Sequence, residues 1–150
     1  MDKKAALDRV KEFLRLYWAN EQAHDDWSRR LEAEYSLTAK QYGLMRAIER
    51  QADITTTDLT ELLGKAQPAI TQMLNRLEAN GFITREQSTE DKRKREVKLT
   101  GKAIQLLKAI DPIGPTRVAL ALEHAGEREA REIIGAMKTT LEWMTTRRIK

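Results

Sequence analysis

The chain has 150 residues and a mass of 17.3 kDa, the size of one domain or of one domain with appended helices. Its 41% hydrophobic and 33% charged residues supply a core under a very polar surface and exclude a disordered tail, while the lack of cysteine excludes disulfides, thiolate nucleophiles and cysteine-ligated zinc. No run approaches the roughly 20 apolar residues of a membrane span, residues 1–15 lack the apolar stretch of a signal peptide, and a net charge of +4 permits an anionic partner; the expectation is a soluble, cytoplasmic chain without membrane contact.

Residues 2–35 read as one long helix. Leu7, Val10, Leu14 and Tyr17 recur at spacings of three and four, one face of a helix, and Phe13, Trp18, Trp27 and Leu31 widen the stripe. One small domain seldom needs so long a helix, so a second chain is expected to cover part of it. Thr38-Ala-Lys-Gln41 spells a capping box, in which the threonine hydroxyl and the glutamine side chain satisfy each other's backbone amides. The helix it opens buries Tyr42, Met45 and Ile48. Thr55-Thr-Thr-Asp58 spells a similar cap for a helix over 58–63, and Gly64 sits where that helix stops. A third helix, 67–79, has its apolar stripe on Ile70, Met73, Leu74 and Leu77 and ends at Asn80-Gly81.

The period then changes. Residues 82–85 and 96–99 are β-prone and enclose a polar, charged stretch, which reads as a β-hairpin. Thr100 caps the next helix, whose face is Ala103, Leu106, Leu107 and Ile110. Pro112 and Pro115 kink or break it, and Pro115 suits the first position of a new helix. After a turn at Ala125-Gly126, a last helix over 127–144 places Ile134, Met137, Leu141 and Met144 at spacings of three, four and three, the narrow seam of paired helices.

Charge is unevenly spread. Segment 65–98 holds eight basic and five acidic residues, against seven and eight in 1–36 and three and four in 37–64. Segment 99–150 holds nine and six, with Arg147, Arg148 and Lys150 forming a terminal basic tail. The middle of the chain is therefore where an anion docks. Three helices, a strand, a charged loop, a strand and a helix, with a tight turn at 63–66, form a helix-turn-helix followed by a wing. A helix fits the major groove, where base edges carry a distinct donor and acceptor pattern. Gln67, Pro68, Ala69, Thr71 and Gln72 lie at the start of the third helix, off its buried stripe, and are the candidate base readers. Lys65, Arg76, Lys92, Arg93, Lys94 and Arg95 are candidates for the DNA backbone and minor groove; with Lys98, the loop has five basic residues in seven. Asp91 cannot touch phosphate and is read as orienting the wing by pairing with Arg93 or Arg76. A solvated helix face and a soluble hairpin tip are the plain alternatives, and each loses weight because the two features adjoin in one winged order.

At these residues the chain also resembles the MarR family of bacterial winged-helix regulators. The wing signature of that family is Asp-x-Arg, three variable residues, an aliphatic, one variable residue and Leu-Thr; Asp91, Arg93, Val97, Leu99 and Thr100 stand at that spacing. Residues 73–85 are similar to the end of the family's recognition helix and the strand after it. The resemblance implies a homodimer held by the first and last helices, with Leu7, Val10, Leu14, Ile134, Met137 and Leu141 in the interface, on a pseudo-palindromic double-stranded operator. It implies repression, relieved by a small aromatic or phenolic ligand. Three departures stand out: Ala66 where a capping side chain is common, the prolines at 112 and 115, and no cysteine for thiol sensing.

The expected fold class is mainly α with a small β-hairpin (α+β): a winged helix-turn-helix domain over 37–100, flanked by dimerisation helices over 1–36 and 101–150. Trp18, Trp27, Tyr35, Tyr42 and Met45 are candidates for a ligand pocket between the first two helices, with core or dimer packing as the alternative. His24 and His124 read as surface or packing residues, so neither a metal nor a cofactor is expected. An enzyme would need a nucleophile with its base, a phosphate loop or a metal cluster, and none is legible. A winged helix that binds only protein is opposed by the basic wing.

Overall fold

The computed structural model describes residues 3–112 and 114–146; Asp2, at the expected helix start, and the tail residues Arg147, Arg148 and Lys150 lie outside them. The chain divides into two compact units, up to Gly114 and from Pro115 onward. The first contains α1 (Lys3–Tyr35), α2 (Ala39–Arg50), α3 (Thr56–Leu63), α4 (Gln67–Ala79), β1 (Ile83–Gln87), β2 (Arg95–Leu99) and α5 (Gly101–Ala109). The fold is mainly helical with one antiparallel hairpin, the class expected.

Local chemistry sets most boundaries. Both capping boxes form: Thr38 Oγ1 accepts from Gln41 N at 3.2 Å, and Thr55 Oγ1 from Asp58 N at 3.2 Å, with the partner side chains reaching back. Gly64 closes α3 at φ 57°, a left-handed conformation that glycine adopts at little cost. Thr100 Oγ1 caps α5. α4 has no such help, since Ala66 supplies no side-chain cap.

The core is shared by all these elements. Leu31 and Trp27 from the last turns of α1 meet Tyr42 and Met45 of α2, Leu59 of α3, Ile70, Leu74 and Leu77 of α4, and Val97 of β2. Each such side chain contributes about 1.5–3 kcal/mol on burial. The expected domain boundaries fall inside this unit, because Trp27 and Leu31 on one side and Ala103 and Leu107 on the other are core residues. The rest of the α1 stripe is not covered: Leu7, Val10 and Leu14 are about half exposed.

The hairpin pairs Ile83 with Leu99 through Gln87 with Arg95, one to two residues longer than the sequence pattern indicates. A further bridge joins Thr55 to Glu96, and Val97 N donates to Ile54 O at 2.8 Å, so the start of α3 is tied to the hairpin. Arg46, half-hidden, ties α2 to α5. Its guanidinium donates to Leu107 O at 2.8 Å and Ile110 O at 3.2 Å, carbonyls that the end of α5 leaves without helical partners. Beyond α5 the chain breaks at the prolines, as expected of residues that cannot donate to a helix. Gly114, at φ 60°, lies so close to Trp27 that a β-carbon would sit 2.9 Å from the indole.

The second unit holds α6 (Pro115–His124) and α7 (Glu127–Thr145). Pro115 opens α6, as its fixed φ suits a first helical position. α7 has Glu127 and Glu129 in its first turn, where the helix dipole favours them, and has no buried residue among those described. Ile134, Met137 and Leu141 of its seam are 43%, 65% and 62% exposed, and Trp143 is 73% exposed.

Candidate nucleic-acid interface

The interface is built on α3, α4 and the hairpin. α4 buries Ile70, Leu74 and Leu77 and so turns its opposite face outward. Gln67, Pro68, Ala69 and Gln72 are exposed and Thr71 is half-buried; the structure brings four of the five candidate readers to one surface and leaves Ala69 off it. Gln67, Pro68, Thr71 and Gln72 line a single shallow concavity with Asn75. Among the described residues, neither the Gln67 nor the Gln72 carboxamide has an intramolecular partner. Lys65, in the turn before α4, and Arg76, in its last turn, are also exposed.

Sequence reasoning misses a tie between this helix and the hairpin. The Arg85 guanidinium on β1 donates to both Glu78 and Asn75 of α4, the latter at 2.7 Å. The hydrogen bond from Arg85 to Glu78 holds the Glu78 carboxyl below its ordinary pKa, so the pair stays charged. Asn75 is legible in principle from its i+4 spacing to Thr71. Arg85 is not, because its partners lie seven and ten residues upstream across a turn.

The tip of the wing is held by its own backbone. Asp91 Oδ1 accepts from Arg93 N at 3.0 Å and from Arg93 Nε at 3.3 Å, and Lys94 N donates to Asp91 O at 2.8 Å. Ser88 Oγ accepts from Glu90 N and Asp91 N, and Gln87 Nε2 donates to Lys92 O. Of the two partners considered for Asp91, the structure pairs it with Arg93. Lys92, Arg93, Lys94 and Arg95 are exposed, and the Arg93 side chain is 92% exposed. Lys98 is engaged by Glu86 at 3.1 Å and by the buried Glu96 at 3.5 Å, so it belongs to the hairpin stem and not to the tip.

The residues considered for a ligand pocket are not brought together. Trp27, Tyr42 and Met45 are core, with the Trp27 and Tyr42 rings edge to face at 5.8 Å. Tyr35 borders a different cleft, with Phe82, Lys102 and Leu106. Trp18 is 62% exposed and packs on Tyr17; nine residues separate it from Trp27, about 13 Å along the helix. The Trp27 indole Nε1 is buried and has no hydrogen-bond partner among the described residues. His24 is exposed and packs edge-on against Trp27 at 5.4 Å, and His124 is exposed with its Nδ1 2.9 Å from Leu120 O on the preceding turn. Among the described residues no group of three or more His, Asp or Glu side chains is placed to hold a metal, and no helix is long and apolar enough to cross a membrane.

A helix-turn-helix whose second helix turns polar side chains outward, followed by a hairpin with a cationic tip, defines a winged helix-turn-helix protein. Residues 37–94 match the MarR family model. The transcriptional regulator HosA of Escherichia coli O157:H7 is 38% identical over 78 residues. The match covers 52% of this chain and 58% of HosA, so the chain spans little more than half the length of that curated relative. Among solved structures, an Escherichia coli MarR mutant complexed with operator DNA matches at TM-score 0.63 and 23% identity, over 89% of this chain and 96% of that one. The Staphylococcus aureus MepR–DNA complex matches at TM-score 0.66 and 19% identity, also over 89% and 96%. At these identities the structural likeness shows the fold.

Proposed function

We propose that the protein is a sequence-specific, double-stranded-DNA-binding transcriptional regulator, a repressor acting as a homodimer on a pseudo-palindromic operator. One observation carries the reading: an outward helix face of uncharged hydrogen-bonding side chains stands in the same winged unit as an exposed run of four cations. The first suits base edges in the major groove and the second suits phosphate and the minor groove. That two relatives of this fold were crystallised with DNA, and that HosA is a transcriptional regulator, supports it. Two copies follow from the uncovered stripes. Leu7, Val10 and Leu14 on α1 and Ile134, Met137 and Leu141 on α7 are exposed. At about 25 cal/mol per Å² of apolar surface, covering them with a second copy stabilises the fold by many kcal/mol.

Two measurements test this. Sedimentation at micromolar concentration should give a species of twice 17.3 kDa, and a species of 17.3 kDa alone would contradict it. Binding to duplex DNA should weaken steeply as salt rises; no binding even at low salt would refute the DNA reading.

A ligand-gated repressor is the finer reading, and the Trp27 indole favours it. A buried N–H without a partner costs about 1–3 kcal/mol, which an acceptor on a small aromatic or phenolic ligand would offset. Because Trp27, Tyr42 and Met45 are buried in the core, such a ligand would have to open the packing around the Trp27 indole to reach it, with Trp18 outside the site. Such ligands should quench tryptophan emission and weaken DNA binding together; a broad panel of phenols and aromatic acids that changes neither would end this reading.

A further inference from the structure

The reading of α4 as the base-reading element leaves open which bases it reads. Resting on that reading, we propose that the operator half-site under α4 is a run of A·T pairs, recognised by adenine-directed amides and by contacts to thymine methyl groups. The chemistry of the face selects this. Guanine is read in the major groove by arginine or lysine, and cytosine by a carboxylate. No charged residue lies on α4 between Lys65 and Arg76, so its first two turns offer neither. The first carboxylate of the helix, Glu78, is turned to Arg85.

The Gln67 and Gln72 carboxamides, each without an intramolecular partner among the described residues, present the donor and acceptor pair that matches N7 and N6 of adenine. Pro68 and the Thr71 methyl give the same surface apolar patches of the size a thymine methyl covers. Asn75 plays a different part. A guanidinium has donors only, so the amide bonded to Arg85 must present its oxygen inward and its NH₂ outward. Asn75 is thus a single donor, suited to thymine O4 or a phosphate oxygen, and cannot offer adenine the matched pair. Adenine reading falls on Gln67 and Gln72, and Arg85 is the positioning residue that enforces the division.

The full chain should be used to select binders from a random-sequence duplex library. The expected result is a two-fold consensus whose half-sites carry consecutive A·T pairs at the protected major-groove positions. Replacing the thymines there with deoxyuridine removes only the major-groove methyl, so it leaves any minor-groove preference of the wing untouched. That replacement should weaken binding about threefold to tenfold. Gln72→Ala should remove most of the preference for A over G at one pair in each half-site, and Gln72→Arg should turn it toward G. Gln72 is exposed, so neither change threatens folding. A consensus of G·C pairs at those positions, or equal binding of the deoxyuridine duplex, would overturn the proposal while DNA binding stands. A library from which nothing is enriched at any salt would overturn both.

Discussion

Between Gln67 and Asn75 the outward face of α4 carries amides, a hydroxyl, a methyl and a proline ring, and no charge. Residues 92–95 of the hairpin are four consecutive cations. The two surfaces also differ in how they are held. α4 is fixed by three buried side chains and by the Arg85 tie, whereas the wing tip is fixed by backbone turns from which the Arg93 side chain projects almost wholly into solvent. On the proposed reading, the neutral surface held by the core is the one on which small differences in geometry would translate into choice among bases. The solvent-borne, cationic one gains from any phosphate within reach, whatever the sequence. On the proposed DNA-binding reading, one unit of fold separates selectivity from affinity.

The largest expected effect comes from removing that separation on the wing side. Lys92→Gln, Arg93→Gln, Lys94→Gln and Arg95→Gln together should weaken binding about 100-fold or more near physiological salt, and lower the slope of log affinity against log salt by about 0.9 for each phosphate no longer neutralised. Preference among operator variants should survive. Isotherms at several salt concentrations check this.

Arg85→Ala reaches the other side. Freed from the guanidinium, Asn75 rotates and Glu78 loses its partner, so discrimination between operator and scrambled duplex should fall about tenfold. Chemical denaturation should show a loss of roughly 1 kcal/mol, because Glu78 is partly solvated. Unchanged discrimination would break the link between the tie and base choice.

Asp91→Ala sharpens the comparison, since it makes the wing more cationic and yet removes two hydrogen bonds that shape its tip. Binding should weaken by about threefold, against the simple electrostatic expectation. Tighter binding would make Asp91 a mere solvated charge.

The smallest effect is a control on stability. Asp58 caps α3, and its hydrogen bonds with Thr55 hold its carboxyl below the ordinary value. A carboxyl whose folded pKa is depressed stabilises the fold above its unfolded pKa and loses that contribution as pH falls through the folded value. Asp58→Ala should therefore cost about 1 kcal/mol at neutral pH, with the gap to wild type closing below about pH 4, and base preference untouched.

What the sequence makes legible here is what is local. The two capping boxes, the Gly64 stop, the apolar stripe of α4 and the hairpin all follow from short-range patterns of residue type, and each appears in the structure. The Thr55–Glu96 bridge, the Arg46 clasp on α5 and the Arg85 tie span tens of residues or cross a turn, and no periodicity announces them. Trp18 and Trp27 share one helix but stand on opposite faces of it, nine residues apart at about 100° each, and one is solvent-exposed while the other joins the core beside α2 near the end of α1. Of the candidate interface, the reader residues and the wing cations are legible as exposed groups; the order that Arg85 imposes on Asn75 is not.

The division between choice and affinity is tested most directly by one set of isotherms. Wild type, Gln72→Ala and the four-glutamine wing variant are compared on a selected operator and a scrambled duplex across a range of salt. The account predicts opposite losses: Gln72→Ala keeps the salt slope and loses about tenfold in preference, whereas the wing variant keeps the preference and loses the slope. If both variants lose preference and slope in the same proportion, the two surfaces act as one and the account is contradicted.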